Sequence, residues 1–436
     1  MENRFYTAFD YERKDDTAPD ADEVRTPFQI DLDRIVFSYA FRRLQSKTQV
    51  FQSGEFDFYR TRLTHTIEVA RIARSITHFL NVQSDALNDG FFIDSNLVEA
   101  VGMAHDLGHP PFGHIGERKL NRLMAAYGGF EGNAQTLRIL TRLFYSRSHG
   151  SKGMNPTRSL IDGILKYKTL FTEALLTDES GVIRYPEHHF LYDTDAEWLE
   201  FATAGRLAEV HDYCTTQGIS LNKFRSLECQ IMDWADDTAY SINDIIDSIQ
   251  AGYLSPDKIG RWAGENGIQG PEERFLEELI GVIAGSRYEA FLNKQIGVFI
   301  HAVRLEEQEN PMAELTNRHR YGLFIDPECV AKADFYKRIA VDLIFRSPQI
   351  HRIEYKGALI IEKLFAALIE NYVDRSSEDH LNLIPRRFAT QLQECDDKVK
   401  KMRVLCDSIS EMTDSLAVRT YKQLFDPDFG SILDIV

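Results

Sequence analysis

The stretch AHDLGHPPFGHIGE, residues 104–117, is the most informative part of the chain. Its last thirteen residues hold three histidines and two carboxylates, interleaved with two prolines and three glycines. Imidazole nitrogens and carboxylate oxygens are common ligands of transition metals. Glycine and proline after His105 and Asp106 favour the end of a helix there, so that both side chains can reach one ion. A loop of hydrogen-bonded histidines is the alternative, but the density of ligand types favours a metal site.

Helical periodicity surrounds this stretch. Apolar residues recur at spacings of three and four in THTIEVARIARSI (64–76) and SNLVEAVGMAHD (95–106). Longer helical signals recur at 158–168, 224–250, 271–302, 331–347, 356–374 and 386–424. Strand signals are few, and the irregular segment 172–192 could hold a hairpin or a long loop. We therefore expect a mainly α-helical protein.

Composition and charge are typical of a soluble protein. Of the 436 residues, 43% are hydrophobic and 27% are charged, and the net charge is −17. Such a charge argues against tight non-specific nucleic-acid binding, which depends on Lys and Arg to neutralise phosphates. The five cysteines form no CxxC pair, the N-terminus has no apolar signal region, and no apolar run approaches the length of a membrane helix. These features predict a cytoplasmic protein without a membrane segment.

The composition divides the chain into three parts. Residues 1–24 are polar and rich in Asp, which predicts a flexible N-terminal arm. A change in composition near 252–271 predicts the end of a catalytic core at 25–255. The remaining residues, 256–436, are expected to form a helical C-terminal part that packs on the core.

Two other segments could complete a metal site. His65 lies on the apolar face of its predicted helix, where a lone histidine is more often a packed core residue. The segment IMDWADDTAYSINDIID (231–247) has Asp236, Tyr240 and Asp244 at spacings of four, which predicts one helix face. A solvated acidic face is the plain interpretation. Against it, carboxylates on an otherwise apolar helix repel each other unless a cation or a substrate offsets their charge.

The order of these residues resembles the HD superfamily of metal-dependent phosphohydrolases, and more narrowly the deoxyguanosine triphosphate triphosphohydrolase family. Seven blocks carry the resemblance, in the family's order. They are RTPFQIDLDRIVFSYAFRRLQSKTQVF (25–51), RTRLTHTIEVARIAR (60–74), AHDLGHPPFGHIGE (104–117), FEGNAQTLRIL (130–140), LKYK (165–168), DWADDTAYSINDI (233–245) and DSISEMTDSLA (407–417). The resemblance implies an HD-domain helical bundle with an additional C-terminal helical part.

The resemblance also implies the site residues. The metal ligands would be His65, His105, Asp106 and Asp236. The catalytic residues would be His114, Glu117 as its acidic partner, and His109, which contacts phosphate. The triphosphate-binding residues would be Arg62, Asn133 and Lys166. The residues that hold the deoxyribose would be Gln45, Tyr240 and Asp244.

The implied reaction is hydrolysis of dGTP, or of other dNTPs, to a deoxynucleoside and inorganic triphosphate. Attack at the α-phosphorus would release the 5′-oxygen, which His114 would protonate. The cofactor would be a divalent cation, one of Mn, Mg, Fe, Co or Ni. The resemblance further implies a homo-oligomer and leaves room for a nucleotide effector.

Two alternatives stay open. One is an HD phosphohydrolase that acts on nucleoside monophosphates or cyclic nucleotides, and the other is a non-catalytic nucleotide sensor. The chain also departs from the family pattern, because residues 166–169 read KYKT where KYPW is usual. The segment 170–212 differs too, and its His188-His189 pair is interpreted as a loop feature.

Overall fold

The computed structural model of the protein describes residues 3–15, 22–49, 60–144, 153–178, 180–375 and 379–429. The helices up to the middle of the chain are α1 (Ala8–Tyr11), α2 (Pro27–Val36), α3 (Tyr39–Arg43), α4 (Arg62–Gln83), α5 (Ser95–Ala104), α6 (Gly113–Met124), α7 (Gly132–Arg138), α8 (Arg158–Ile164), α9 (Ala196–Ala202), α10 (Leu207–Gln217) and α11 (Leu227–Gln250). The later helices are α12 (Pro256–Asn266), α13 (Pro271–Ala284), α14 (Tyr288–His301), α15 (Asn317–Arg320), α16 (Pro327–Ala340), α17 (Pro348–Ile369), α18 (Arg386–Gln393), α19 (Lys398–Ser410) and α20 (Asp414–Phe425).

Strands are short and paired in two antiparallel ribbons. In the irregular segment, β1 (Leu176–Thr177) pairs with β2 (Ile183–Arg184). Farther along, β3 (Val303–Glu307) pairs with β4 (Tyr321–Ile325), with Val303 opposite Ile325. The mainly α-helical class predicted from the sequence is therefore confirmed. Among the described residues, every helix is too short or too polar to span a membrane.

The helices that carry the site pack closely because of a small-residue contact. Helix α4 lies between α5 and α11, and its apolar stripe through Val69 and Ile76 is buried. At Gly102 of α5, an added Cβ would lie 2.8 Å from the Cα of Ala70 in α4. Only glycine permits this approach, because a real Cβ almost never meets another atom at that distance. The contact brings the end of α5 close to the start of α4.

The structure differs from the expected N-terminal arm at residues 3–15. Phe5 and Tyr6 are buried in the main apolar cluster, and the buried Asp10 accepts a hydrogen bond from the Thr316 hydroxyl at 2.7 Å. The physical reason is that a few aromatic side chains bury enough apolar surface to fix a segment whose average composition is polar. Residues 1, 2 and 16–21 of the predicted arm lie outside the described residues.

The C-terminal helices pack on the helix that carries His114 and Glu117. Leu120 and Met124 of α6 are fully buried in a cluster with Ile361 and Leu364 of α17. Helix α17 in turn packs against α19 and α20. The boundary at 255/256 stays a prediction.

Candidate active site

The four predicted metal ligands converge from three helices. His65 lies in the first turn of α4, His105 and Asp106 follow the end of α5, and Asp236 lies in the middle of α11. The Nε2 atom of His65 is 3.1 Å from Oδ1 of Asp236. The Nε2 atom of His105 is 3.5 Å from Oδ1 of Asp106 and 3.9 Å from Oδ1 of Asp236. His65, His105 and Asp106 each offer a ligand atom within 4.8 Å of the others, so these three could hold one ion, and Asp236 adjoins the group through His65 and His105.

The hydrogen bonds around His105 fit a metal ligand. Its Nδ1 donates to the carbonyl oxygen of Gly102 at 2.7 Å, which leaves the Nε2 lone pair available. That Nε2 atom is buried and has no hydrogen-bond partner within the part of the chain that the structure describes. A buried nitrogen without a partner is costly unless a ligand satisfies it. The donor set of two imidazoles and two carboxylates therefore fits a divalent cation.

The ionisation of the two carboxylates also fits a site for a divalent cation. Burial opposes the ionisation of Asp106, but His109, His105 and Arg62 hold its pKa well below the usual range. Burial also opposes the ionisation of Asp236, but the hydrogen bond with His65 and the charges of His105 and Lys166 together outweigh it and lower the pKa. Both carboxylates are therefore ionised at neutral pH, as ligands of a cation must be.

The predicted catalytic pair lies at the start of α6. The Nδ1 atom of His114 is 3.5 Å from Oε2 of Glu117, and Oε1 of Glu117 accepts a hydrogen bond from the Gly132 N–H at 2.7 Å. His109 lies between this pair and the ligand cluster, with its Nδ1 3.0 Å from Oδ1 of Asp106. The His114 side chain is 63% exposed, so a substrate can reach it. His109, His114 and Glu117 are also close enough together to hold a cation of their own.

The C-terminal part fixes the loop between these groups. Asp414, at the start of α20, accepts a hydrogen bond from the N–H of Phe112 at 2.9 Å through Oδ1. Phe112 has a φ of 65°, an uncommon value for a residue with a side chain. The buried Lys47 donates to the carbonyl oxygens of His109 and Ser410. The loop 109–112 is therefore held from α20 and from the residues that precede α4.

A cavity of about 380 Å³ opens over these groups. The predicted residues that line it are Arg62, His65, His105, Asp106, His109, His114, Glu117, Asn133, Lys166, Asp236 and Tyr240. The residues that line it and were missed are Gln49, Arg118, Glu131, Tyr167, Glu187, His188, His189 and Met232. Gln49, Glu131 and Tyr167 lie inside or next to the quoted blocks, so proximity in sequence was a usable signal for them.

Two predicted sugar contacts do not line this cavity. Gln45 is exposed on the turn Leu44–Ser46, whereas Gln49 lines the cavity with a buried Oε1 that has no partner among the described residues. A turn at Leu44–Ser46 interrupts the helical periodicity here, so sequence position alone did not identify the glutamine that lines the cavity. Asp244 is 5% exposed, and burial raises its pKa to about 8. At about 100° per residue, Asp244 lies about 80° around the helix from Asp236, so the two are not on one narrow face.

Lys168, which stands where the family pattern has proline, does not line the cavity either. Its side chain is 1% exposed, and its Nζ donates to the carbonyl oxygen of Leu165 at 3.1 Å and lies 3.4 Å from Oδ1 of Asp162. Lys166, by contrast, lies in the cavity with its Nζ 2.5 Å from Oδ1 of Asp233. The departure at 168 is therefore a buried structural ion pair.

A second cavity of about 490 Å³ adjoins the first. The two share Gln49, His114, Arg118 and Tyr240 as lining residues. The second is lined by apolar side chains that include Val341, Phe345, Ile350, Ile353 and Val418, and also by charged ones such as Arg346, Glu354 and Lys356. A polar cavity thus continues into a more apolar one, with Tyr240 at the junction.

Comparisons with known proteins identify the domains and the family of the chain. Residues 62–163 match the HD domain, and residues 323–423 match the phosphohydrolase-associated domain. The chain is 31% identical to deoxyguanosinetriphosphate triphosphohydrolase-like protein 2 of Deinococcus radiodurans, over 97% of this chain and 98% of that protein. Proteins named deoxyguanosinetriphosphate triphosphohydrolase-like protein from Shewanella woodyi and Haemophilus influenzae are 32% and 33% identical, over 94% and 92% of this chain and 94% and 93% of their own lengths.

Proposed function

Because the chain belongs to the deoxyguanosinetriphosphate triphosphohydrolase-like family of HD-domain proteins, we propose that it hydrolyses dGTP to deoxyguanosine and inorganic triphosphate. Family membership and the HD domain support phosphohydrolase activity on nucleotides. The observation that carries the finer proposal is the pair of joined cavities. The polar cavity, with its cluster of ligands, suits a triphosphate, and the apolar cavity beyond Tyr240 suits a sugar and a base. Other dNTPs are further candidate substrates.

His65, His105, Asp106 and Asp236 would hold a divalent cation. Bound there, the cation would activate water and polarise a phosphoryl oxygen as a Lewis acid. The mixed imidazole and carboxylate set suits Mn, Mg, Fe, Co or Ni. Dependence of activity on such a cation is part of the proposal.

Arg62 is the strongest candidate for binding the triphosphate. Its guanidinium is 2% exposed, and Nη1 donates to Oδ2 of Asp106 at 2.8 Å. Its Nε and Nη2 are buried and have no partner in the described ranges. Two unused donors on a buried cation match two oxygens of a phosphate. Lys166 and Asn133 line the same cavity and would bind the remaining phosphates.

His114 would donate a proton to the departing 5′-oxygen. Glu117 would keep the ring oriented, because its carboxylate faces Nδ1 of His114 and is itself fixed by the N–H of Gly132. Attack of water on the α-phosphorus would then break its bond to the 5′-oxygen. The deoxynucleoside and intact triphosphate leave as separate products.

The test is to identify the products. Purified protein with Mn²⁺ and each dNTP, singly and in pairs, should release equal amounts of deoxynucleoside and triphosphate, resolved by ion-exchange chromatography. Release of phosphate or of a nucleoside monophosphate would instead support a different HD phosphohydrolase. Absence of any product, with nucleotide still bound, would support a sensor.

Variants test the ligand assignment in the same assay. His65→Ala and Asp106→Ala should each lose bound metal, measured by elemental analysis, and lose activity. His78→Ala is the matched control, because His78 is exposed on the same helix as His65. Full metal occupancy in either ligand variant would contradict the assignment.

A cytoplasmic location, a homo-oligomer and a nucleotide effector stay predictions.

A further inference from the structure

The loop 186–189, which reads Pro-Glu-His-His, forms part of the wall of the polar cavity. Glu187, His188 and His189 all line that cavity, together with Lys166 and Tyr167. The loop lies in the segment where the chain departs from the family pattern.

Hydrogen bonds fix both ends of the loop to elements of the site. The Nδ2 atom of Asn121, in α6, donates to the carbonyl oxygens of Pro186 and Glu187, each at 2.9 Å. The Nδ2 atom of Asn222 donates to the carbonyl oxygen of His189 at 3.0 Å, while its Oδ1 accepts from the N–H of Lys168 at 2.6 Å. The loop is thereby tied to the helix of His114 and to the segment that carries Lys166.

The backbone of His189 adopts the left-handed conformation, with a φ of 67°. This region favours glycine or asparagine, and a residue with a larger side chain adopts it at a cost in free energy. Such strain is more common at functional sites than elsewhere. The His189 ring stacks on the Tyr167 ring, with 4.3 Å between centroids and 30° between planes. The ring is therefore held beside Lys166.

Unlike the cations of the cavity, the imidazoles of His188 and His189 have no ion-pair partner among the described residues. Lys166 is paired with Asp233, and Arg62 with Asp106. The rings of His188 and His189 have no hydrogen-bond or ion-pair partner among the residues that the structure describes, and their centroids are 3.9 Å apart. Both side chains are exposed and line the cavity that a polyanion would enter.

The charges near His189 are mainly positive. Burial, followed by the charges of His188, Lys166 and Arg225, lowers the pKa of His189 to about 4, and Glu117 acts in the opposite direction. The ring is therefore neutral at pH 7 and offers one N–H donor and one acceptor. The same positive surroundings that disfavour its protonation favour a bound phosphate anion.

We propose that His188 and His189 donate hydrogen bonds to the outer phosphates of the bound triphosphate and so help to select a triphosphate over shorter phosphate chains. This inference rests on the proposed function, since it names residues of the same site. The ligand cluster fixes the reacting phosphate at one end of the cavity. The two histidines, next to Lys166, add N–H donors where the remaining phosphates extend.

The experiment compares substitutions that distinguish the effect of the imidazole ring from the effect of the backbone conformation. His189→Gly removes the ring but keeps the left-handed backbone without strain, and His189→Asn keeps both the backbone preference and an N–H donor. His188→Ala removes the second ring, and His78→Ala is the control. For each variant, kcat and KM are measured with dGTP. Binding of inorganic triphosphate, pyrophosphate and deoxyguanosine is measured by calorimetry.

We expect His188→Ala and His189→Gly each to weaken triphosphate binding roughly tenfold, the size of one hydrogen bond to a charged group. KM for dGTP should rise by a similar factor while kcat stays within about twofold. Deoxyguanosine binding should not change, and His189→Asn should recover most of the affinity. A loss that is equal for triphosphate and pyrophosphate would overturn the selection for chain length.

The outcomes separate this inference from the proposed function. If the wild type releases deoxynucleoside but triphosphate binding is the same in His188→Ala, His189→Gly and the control, the inference is overturned and the function stands. If triphosphate binding depends on the two histidines but dGTP is not cleaved at the 5′-oxygen, the proposed function fails and the phosphate site stands.

Discussion

Replacement of Asp414 should separate catalysis from metal binding. The carboxylate accepts hydrogen bonds from the N–H of Phe112 at 2.9 Å and from the N–H of Thr48 at 3.0 Å, and it also contacts the Thr48 hydroxyl. Asp414 is 5% exposed, although both backbone donors are only partly buried. Asp414→Ala removes all three contacts and leaves Phe112, two residues before His114, in a strained conformation without its acceptor.

The size of the effect follows from these contacts. A partly buried hydrogen bond to a carboxylate contributes about 1 kcal/mol, so the three contacts together tie α20 to Phe112 and to Thr48 with about 3 kcal/mol. For 436 residues, an unfolding entropy of about 2.1 cal/mol/K per residue gives about 0.9 kcal/mol/K. The melting temperature should therefore fall by only about 3 °C. If misalignment of His114 raises the activation free energy by half of this 3 kcal/mol, kcat falls roughly tenfold.

The assay measures kcat, KM, bound metal and melting temperature on Asp414→Ala, Asp414→Asn and the control Asp426→Asn. Asp426 follows the opposite end of α20. Asp414→Ala should lose kcat while bound metal stays at the wild-type level, because the four predicted ligands lie outside the loop. Asp414→Asn, which keeps one acceptor for Phe112, should be intermediate. An unchanged kcat in Asp414→Ala at 25 °C would refute the argument that α20 positions His114.

Three further predictions concern the acid, the sugar and pH. His114→Ala should keep metal and substrate binding but lose roughly 10²- to 10⁴-fold in turnover, measured under saturating dGTP; loss of its metal would make His114 a ligand. Tyr240→Ala should narrow a dGTP/GTP rate ratio that we expect at roughly 5- to 150-fold, because the ring no longer packs against C2′ of the sugar; an unchanged ratio would exclude the ring as the discriminator. Burial opposes the ionisation of Asp162, but the pKa of this carboxyl is held far below its unfolded value of about 3.9 by His319, Lys168 and Arg318. The ionised carboxylate therefore stabilises the fold fully above that pH, and this stabilisation is lost as pH falls below about 4. Urea unfolding between pH 5 and pH 2.5 should show this fall, and Asp162→Asn should flatten it.

The ligand cluster could be predicted from the sequence because its chemistry is local. His105 and Asp106 are adjacent, and the glycine and prolines after them end α5 as expected. His65 and Asp236 lie on long helices with clear periodicity. Their helices could be predicted, but the distance between the two side chains in the folded chain could not. The approach of His105 to His65 depends on Gly102, whose missing Cβ lets α5 approach α4, and no periodicity pattern marks such a contact.

The predicted sugar contacts agreed less well with the lining of the cavity. A small error in the angle of a residue around its helix, or in its position along a turn, decides whether its side chain reaches the cavity. Two turns along α11 carry Asp244 about 80° away from Asp236, enough to move it out of the cavity lining. Gln45 and Gln49 are separated by a turn that is not periodic, so nothing in the sequence distinguished them. His188 and His189 were not predicted to line the cavity for a related reason: a left-handed backbone and two distant asparagines hold that loop in place, and neither is readable from the sequence.

The described contacts argue that the catalytic unit is larger than its HD domain. The HD domain match, residues 62–163, includes His65, His105 and Asp106 but not Asp236. The loop before His114 is held by Asp414, and Arg138 of α7 forms a buried ion pair with Asp407, 2.7 Å between Nη2 and Oδ2. Both partners come from the block DSISEMTDSLA, within the phosphohydrolase-associated domain. The boundary predicted near 252–271 stays a prediction, but the loop before His114 depends on a contact from the C-terminal side of it, because Asp414 accepts the hydrogen bond of the Phe112 N–H.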